Sequence, residues 1–213
     1  MAREYKILLS IAVGAIIIGV LLFKFAATPV GHAPLVDRTS AFTLGNPQAK
    51  IEVTEFADFQ CPACRLARDY STQLLAKYPN EVKIVFRHFP LSGHPLAQVS
   101  AQAAEAAGAQ GKFWEMHDLL YDKQAEWGDV TKNLNRTQAI NLFKGYAREL
   151  GLDEARFATA LEGNAGSIVI NEDIAAATAS GVDSTPQFFV NQERIDSPSL
   201  ADISAAIDRV RAQ

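Results

Sequence analysis

The 213 residues include only two cysteines, two methionines, two tryptophans and four histidines. These shortages narrow the chemistry. A structural zinc site needs four ligands at characteristic spacing. Here no second C-x-x-C and no H-x-x-x-H exists, and His32, His88, His94 and His117 are scattered. No metal and no other cofactor is expected. No run of basic residues occurs either. Lys and Arg number 20 against 24 Asp and Glu, a net charge of −4, which argues against a nucleic-acid partner. No internal repeat or low-complexity tract is present, although 97–109 is rich in alanine.

The two cysteines stand together in Cys61-Pro62-Ala63-Cys64. A C-x-x-C pair serves as half a metal site, as a redox couple or as a redox sensor. A purely structural disulfide is a poor reading, because so short a loop constrains almost nothing. The flanks favour redox chemistry. Lys50 to Phe56 is short, β-branched and strand-like. Arg65 to Tyr78 carries Leu66, Tyr70, Leu74 and Leu75 at helical spacing, and Pro79 ends it. The pair thus sits where a strand turns into a helix. Pro62 suits the first helical turn, and Cys61 falls at or beside the N-cap. Unpaired N–H groups and the positive end of the helix dipole favour a thiolate there. A thiol so placed typically titrates at roughly 3.5–7.5. Cys61 is therefore the expected nucleophile, with Cys64 as its partner one turn on.

At the amino end, Arg3 and Lys6 precede an apolar run from Ile7 to Phe23. That is close to the roughly 17–25 residues that span a bilayer, and longer than a typical signal-peptide core. A cleavage site after Gly31-His32-Ala33 would be followed by the unfavourable Pro34. The expectation is a retained anchor over 1–27 with its amino end in the cytoplasm. A Pro- and Gly-containing linker follows over 28–40.

Beyond the linker, 41–44 reads as a short strand, Gly45-Asn46-Pro47 as a turn and Val82 to Phe89 as a second core strand closed by Pro90. Strand, helix and strand make a βαβ unit with a parallel pair. Helical periodicity then takes over from His94 to Trp127, from Thr137 to Leu150, from Asp153 to Leu161 and from Ser167 to Ser180. Most aromatic residues of this block read as core, though Trp114 and Trp127 can also line a surface. Strand patterning returns over Pro186 to Val190, with a hairpin at Asn191-Gln192 and a last helix opened by Ser197-Pro198. The boundaries that follow are 41–92, 93–180 and 181–213.

These pieces together resemble the thioredoxin superfamily and, within it, the DsbA-type thiol:disulfide oxidoreductases, especially the membrane-tethered members. The resemblance covers 41–213. It rests on Glu55-Phe56-Ala57-Asp58-Phe59-Gln60-Cys61-Pro62-Ala63-Cys64, on Ser184-Thr185-Pro186-Gln187-Phe188-Phe189-Val190-Asn191 and on the intervening Phe113-Trp114-Glu115-Met116-His117. It implies an α/β, thioredoxin-like fold with an inserted helical domain, preceded by one transmembrane helix. It implies that Cys61 and Cys64 alternate between dithiol and disulfide, and that Pro186 is a cis-proline beside them. By the same resemblance Thr185 presents its backbone to bound peptide, and Phe59, Pro62 and Ala63 join the substrate surface. Glu55 matches the buried acid beneath the second cysteine. Strand alternation agrees, because Glu55 shares a face with Ile51 and Val53 and points inward if they do. An unpaired carboxyl there has its pKa raised by desolvation and can exchange a proton with Cys64, the alternative being a strand-end glutamate that reaches solvent.

Ala63 is a departure, because the most oxidising members have a thiolate-stabilising histidine there. His88 and His94 can supply charge near the site or serve structural and surface roles. The activity implied is oxidation of unfolded exported proteins that carry free cysteines. The expected setting is a bacterial cell membrane with the catalytic domain outside the cytoplasm. The chain is expected to be monomeric, and a membrane oxidase would restore its disulfide. Three other readings stay open: a reductase or isomerase, a membrane-tethered peptide-binding chaperone, and a metal carrier.

Overall fold

The computed structural model describes residues 42–164 and 166–213. The anchor expected over 1–27 and the linker over 28–40 lie outside the described residues. No helix among the described residues is long and apolar enough to cross a membrane.

Five strands, β1 (Thr43–Gly45), β2 (Ile51–Ala57), β3 (Val82–His88), β4 (Gln187–Val190) and β5 (Glu193–Ile195), form one sheet among the described residues. Their order is β1-β3-β2-β4-β5. β2 and β3 are parallel, in register from Ile51 opposite Val82 to Ala57 opposite His88. The remaining pairings are antiparallel. The tight β4–β5 hairpin turns through Asn191 at φ +52°, a left-handed conformation that asparagine tolerates.

A parallel pair needs a crossover, and α1 (Pro62–Ala67) with α2 (Tyr70–Lys77) supplies it. The spacing predicts one helix through Tyr78, but the structure breaks it at Arg68 and Asp69. There the Arg68 N–H reaches back only to the Arg65 carbonyl, at 3.4 Å, and the regular ladder restarts with Gln73 N–H on Asp69. The apolar stripe does not survive the break. Leu66 is 78% exposed, whereas Leu74 is fully buried.

Between β3 and β4 runs a block of helices: α3 (Ala97–Gly108), α4 (Phe113–Asp122), α5 (Gln124–Trp127), α6 (Arg136–Glu149), α7 (Glu154–Glu162) and α8 (Ser167–Ala179). A capping box starts α6: Asn135 accepts from the Gln138 N–H, and the Gln138 side chain accepts from the Asn135 N–H. The last helix, α9 (Leu200–Arg211), begins two residues later than Ser197-Pro198 suggests. Its N-cap is Ser199, which accepts from the Asp202 N–H.

The two faces of the sheet follow from strand alternation. Ile51, Val53 and Ile84 pack with Leu74 of α2 and Ile203 and Ile207 of α9. Phe56 points the other way, onto Ala177 of α8 and onto Val182. The helical block has its own core, which includes Met116, Trp127, Phe143 and Phe157 and reaches the sheet at Ala57, Phe59 and Phe86. Trp127 is therefore core rather than surface, and its Nε1–H donates to the Leu120 carbonyl at 3.1 Å. Trp114 is half-buried and packs against both cores.

One buried ion pair fastens α8 to the sheet. Arg87 Nε lies 3.0 Å from Asp173 Oδ1, with both side chains almost fully buried. Asp173 Oδ2 also accepts the His88 N–H at 3.0 Å. Removing one member of such a pair strands the other charge in the interior. Asp173→Ala is expected to lower stability by about 3–5 kcal/mol in urea unfolding, and a loss below about 1 kcal/mol, the range of an exposed pair, would contradict this view.

Candidate active site

β2 ends at Ala57, and three residues separate it from Cys61, the N-cap of α1. Asp58-Phe59-Gln60 makes this connection, closed by the Cys61 N–H donating to the Asp58 carbonyl at 3.0 Å. Cys61 is the N-cap of α1 in extended conformation, with Pro62 following as the first helical residue. This is the arrangement in which proline's missing donor is harmless. Cys61 is 7% exposed and Cys64 is wholly buried. Both thiols are free, so this is the dithiol state. Pro62 and Ala63 lie exposed beside them.

The segment before β4 meets the cysteines. The Thr185–Pro186 peptide bond is cis, and the Cys61 Sγ lies 3.5 Å from the Thr185 carbonyl oxygen, to which a protonated thiol donates. The structure thus brings Cys61, Cys64, Thr185 and Pro186 together, with Pro62 and Ala63 on the rim. Phe59 does not join them. It is 1% exposed and packs among Phe86, His117 and Tyr121 at ring separations of 5.2, 5.6 and 5.0 Å. The expectation that Phe59 touches substrate is corrected: the strand-to-helix connection turns its ring into the seam between sheet and helical block.

The two sulfurs live in opposite environments. Cys61 is drawn down to about 5, first by the hydrogen bond from the Cys64 thiol. Partial burial opposes this, while Thr185 and the N–H groups of Cys64 and Ala63 add to it. Cys64 is pushed well above the ordinary thiol range, first by desolvation and then by its neighbour Cys61. Glu55 lies in register between Phe86 of β3 and Phe188 of β4. Flanked by these residues and 1% exposed, its carboxyl is raised to about 8 by desolvation, and its Oε1 has no hydrogen-bond partner. The site therefore holds a thiolate at neutral pH, a protected thiol and a carboxylic acid that is largely protonated.

A polar scaffold holds the 58–61 connection. Asp58 accepts from Gln60 N–H, from Leu91 N–H and from His94 Nδ1 at 2.7, 3.0 and 2.6 Å. The Gln60 amide donates to the Gly128 carbonyl, and its oxygen accepts from Leu96 N–H. Gln124 of α5 donates to the carbonyls of both Phe59 and Cys61, at 2.8 and 3.0 Å. Sequence reasoning missed Asp58, Gln60 and Gln124. Asp58 and Gln60 lie inside the recognised motif, but nothing local marks Gln124, 63 residues beyond Cys61. His94 proves to be tied to Asp58, and His88 to Glu105 at 3.0 Å.

A thioredoxin family model matches residues 38–209. The chain belongs to the thioredoxin family. Among solved structures, a thioredoxin-like oxidoreductase from Silicibacter pomeroyi DSS-3 superposes on this thioredoxin-family chain with a TM-score of 0.67. It is 28% identical and covers 84% of this chain and 96% of its own. The thiol-disulfide exchange protein alpha-DsbA2 from Wolbachia pipientis gives 0.65 at 20% identity, covering 81% and 88%, a likeness of fold. A curated relative, the Na(+)/H(+) antiporter NhaA 1 of Salinispora arenicola, is 41% identical over 174 residues. That stretch is 81% of this chain but 25% of the relative, so the chain spans about a quarter of the length of the curated relatives it matches.

The buried acid has a measurable signature. Between pH 4.5, where a free carboxyl titrates, and about 8, where Glu55 does, the unfolded chain binds fewer protons than the native one, so stability falls as pH rises. In the disulfide form, where neither cysteine titrates, the loss across this window is expected to be on the order of 4 kcal/mol. Glu55→Gln should flatten the slope in denaturant titrations taken at pH 5, 6.5 and 8. An unchanged slope would mean that another group is responsible.

Proposed function

We propose that this chain is a thiol:disulfide oxidoreductase whose Cys61–Cys64 couple introduces disulfides into exported proteins. The observation that carries the reading is the division of labour between the sulfurs: Cys61 is a stabilised anion beside the cis Thr185–Pro186 bond, while Cys64 is buried and protonated. Stabilising one thiolate stabilises the dithiol form, and a pair whose dithiol form is stabilised donates its disulfide readily. The oxidoreductase from Silicibacter pomeroyi, 28% identical across most of this chain, supports the general chemistry.

In the reaction, a substrate thiolate attacks the Cys61 sulfur of the disulfide. A substrate–Cys61 bond forms, the Cys61–Cys64 bond breaks, and its electron pair goes to Cys64, which takes up a proton. Glu55, largely protonated at neutral pH, is the adjacent donor. A second substrate thiolate then attacks the substrate sulfur of the mixed disulfide, and Cys61 leaves as the thiolate that its surroundings favour. The substrate has lost two electrons and the enzyme has gained them. An exposed rim of Pro62, Ala63 and Leu66 beside Cys61 suits unfolded apolar segments. Thr185 offers its backbone for pairing with extended peptide.

The setting we propose is the outer face of a bacterial membrane, with 1–27 as anchor and a membrane oxidase restoring the disulfide. The apolar run over 7–23 supports this, and so does the matching stretch within much longer chains named as antiporters. One observation favours the reverse flow, a reductase: Ala63 contributes no side-chain donor to the Cys61 thiolate.

Cys61→Ser is expected to abolish oxidation of a peptide dithiol. Cys64→Ser should accumulate mixed disulfides with client proteins on non-reducing gels. Oxidation that survives in Cys61→Ser would remove the basis for the reading.

A further inference from the structure

We infer that Asp58 and His94 are positioning residues for thiol exchange: together they hold the Asp58 peptide N–H against the Cys64 sulfur, which is the leaving group when a substrate thiolate opens the disulfide. The inference rests on the oxidoreductase reading above.

Asp58 touches both cysteines through its main chain. Its carbonyl accepts the Cys61 N–H at 3.0 Å, and its own N–H donates to Cys64 Sγ at 3.5 Å. Its carboxylate does not reach either sulfur. The side chain is fully buried, which is costly for a charge unless it is well partnered. Three donors surround it. Gln60 N–H takes Oδ1, while Leu91 N–H and His94 Nδ1 share Oδ2. Leu91 and His94 come from the connection between β3 and α3, 33 and 36 residues away. That connection is fixed in turn. The His94 N–H donates to the Leu91 carbonyl, and the Leu96 N–H donates to the Gln60 side chain. The Asp58 peptide is thus clamped from a second segment of the chain, beyond what its neighbours in β2 require.

The chemistry gives that clamp a use. When the substrate thiolate bonds to Cys61, the electron pair of the broken S–S bond settles on Cys64 Sγ; the enzyme's own disulfide is the oxidant. Cys64 has no exposure to water, so until it takes up its proton the charge that develops on it must be met by protein dipoles. The Asp58 N–H already faces it. A hydrogen bond to an anion is stronger than the same bond to a neutral sulfur. It therefore stabilises the charged leaving group more than the starting disulfide, which is what accelerates a step. The Asp58 carboxylate itself opposes a nearby thiolate, and its three donors, His94 among them, offset that repulsion. The two effects predict opposite outcomes when Asp58 is neutralised.

The test uses purified full-length protein in its disulfide form, reacted with reduced glutathione, quenched by alkylation and resolved by mass. Unfolding and the equilibrium with glutathione are measured on the same samples. Asp58→Asn and His94→Leu are each expected to slow the attack about tenfold, as loss of one charge-assisted hydrogen bond implies. They should also shift the glutathione equilibrium toward the disulfide form. His94→Gln, which keeps a donor for the carboxylate, should stay within about twofold of wild type. Variants that melt earlier yet react at the wild-type rate would make the clamp merely structural and overturn the inference. So would a faster Asp58→Asn, which would make charge repulsion dominant. If Asp58→Asn fails to fold, His94→Leu decides, since that ring is 21% exposed. A wild-type disulfide that does not react with glutathione would instead sink the oxidoreductase reading, and this inference with it.

Discussion

Desolvation applied unequally to two sulfurs is the constraint on which the site depends. Cys61 stands at the start of α1, where N–H groups and a neighbouring thiol meet its charge. Cys64, one turn later, is sealed under the helical block. A symmetric pair would have no preferred nucleophile and no preferred leaving group. The asymmetry exists because β2 ends at the edge of a packed seam, so that the first residue of α1 is at the surface and the third is in the core.

Much of the molecule serves to keep that seam dry. Phe59, Phe86, His117 and Tyr121 fill it from the sheet and from α4, and Glu55 sits on the sheet face between Phe86 and Phe188. Burial among these neighbours holds the carboxyl largely protonated at neutral pH, so it adds little fixed negative charge near Cys64. Bonds from Gln124, Gln60 and His94 tie the 58–61 connection to segments far away in sequence. The helical block is therefore part of the active site's framework as well as its cover.

The local features were legible in the sequence. A C-x-x-C between a β-branched run and an apolar helical stripe marks a strand-to-helix junction, and strand alternation puts Glu55 on the face of Ile51 and Val53. The Asn191-Gln192 turn announced the β4–β5 hairpin. What escaped was non-local. Leu66 fits a helical stripe until the ladder breaks at Arg68, and no spacing rule anticipates that break. Phe59 looks like a surface aromatic beside a reactive cysteine, but the packing of a block that begins some forty residues later turns it inward. Asp58, Gln60, Gln124 and His94 form bonds across 33 to 68 residues, and polar residues in connections carry no periodicity by which to find them.

The direction of electron flow is what most needs a number. The most direct measurement is the reduction potential of Cys61–Cys64 in the full-length protein, equilibrated against glutathione buffers. A thiolate stabilised as Cys61 is should place the couple at about −120 to −180 mV, among proteins that donate disulfides. A value near about −270 mV, where reductants lie, would contradict the oxidase and mean that electrons flow outward through Cys61 to the clients.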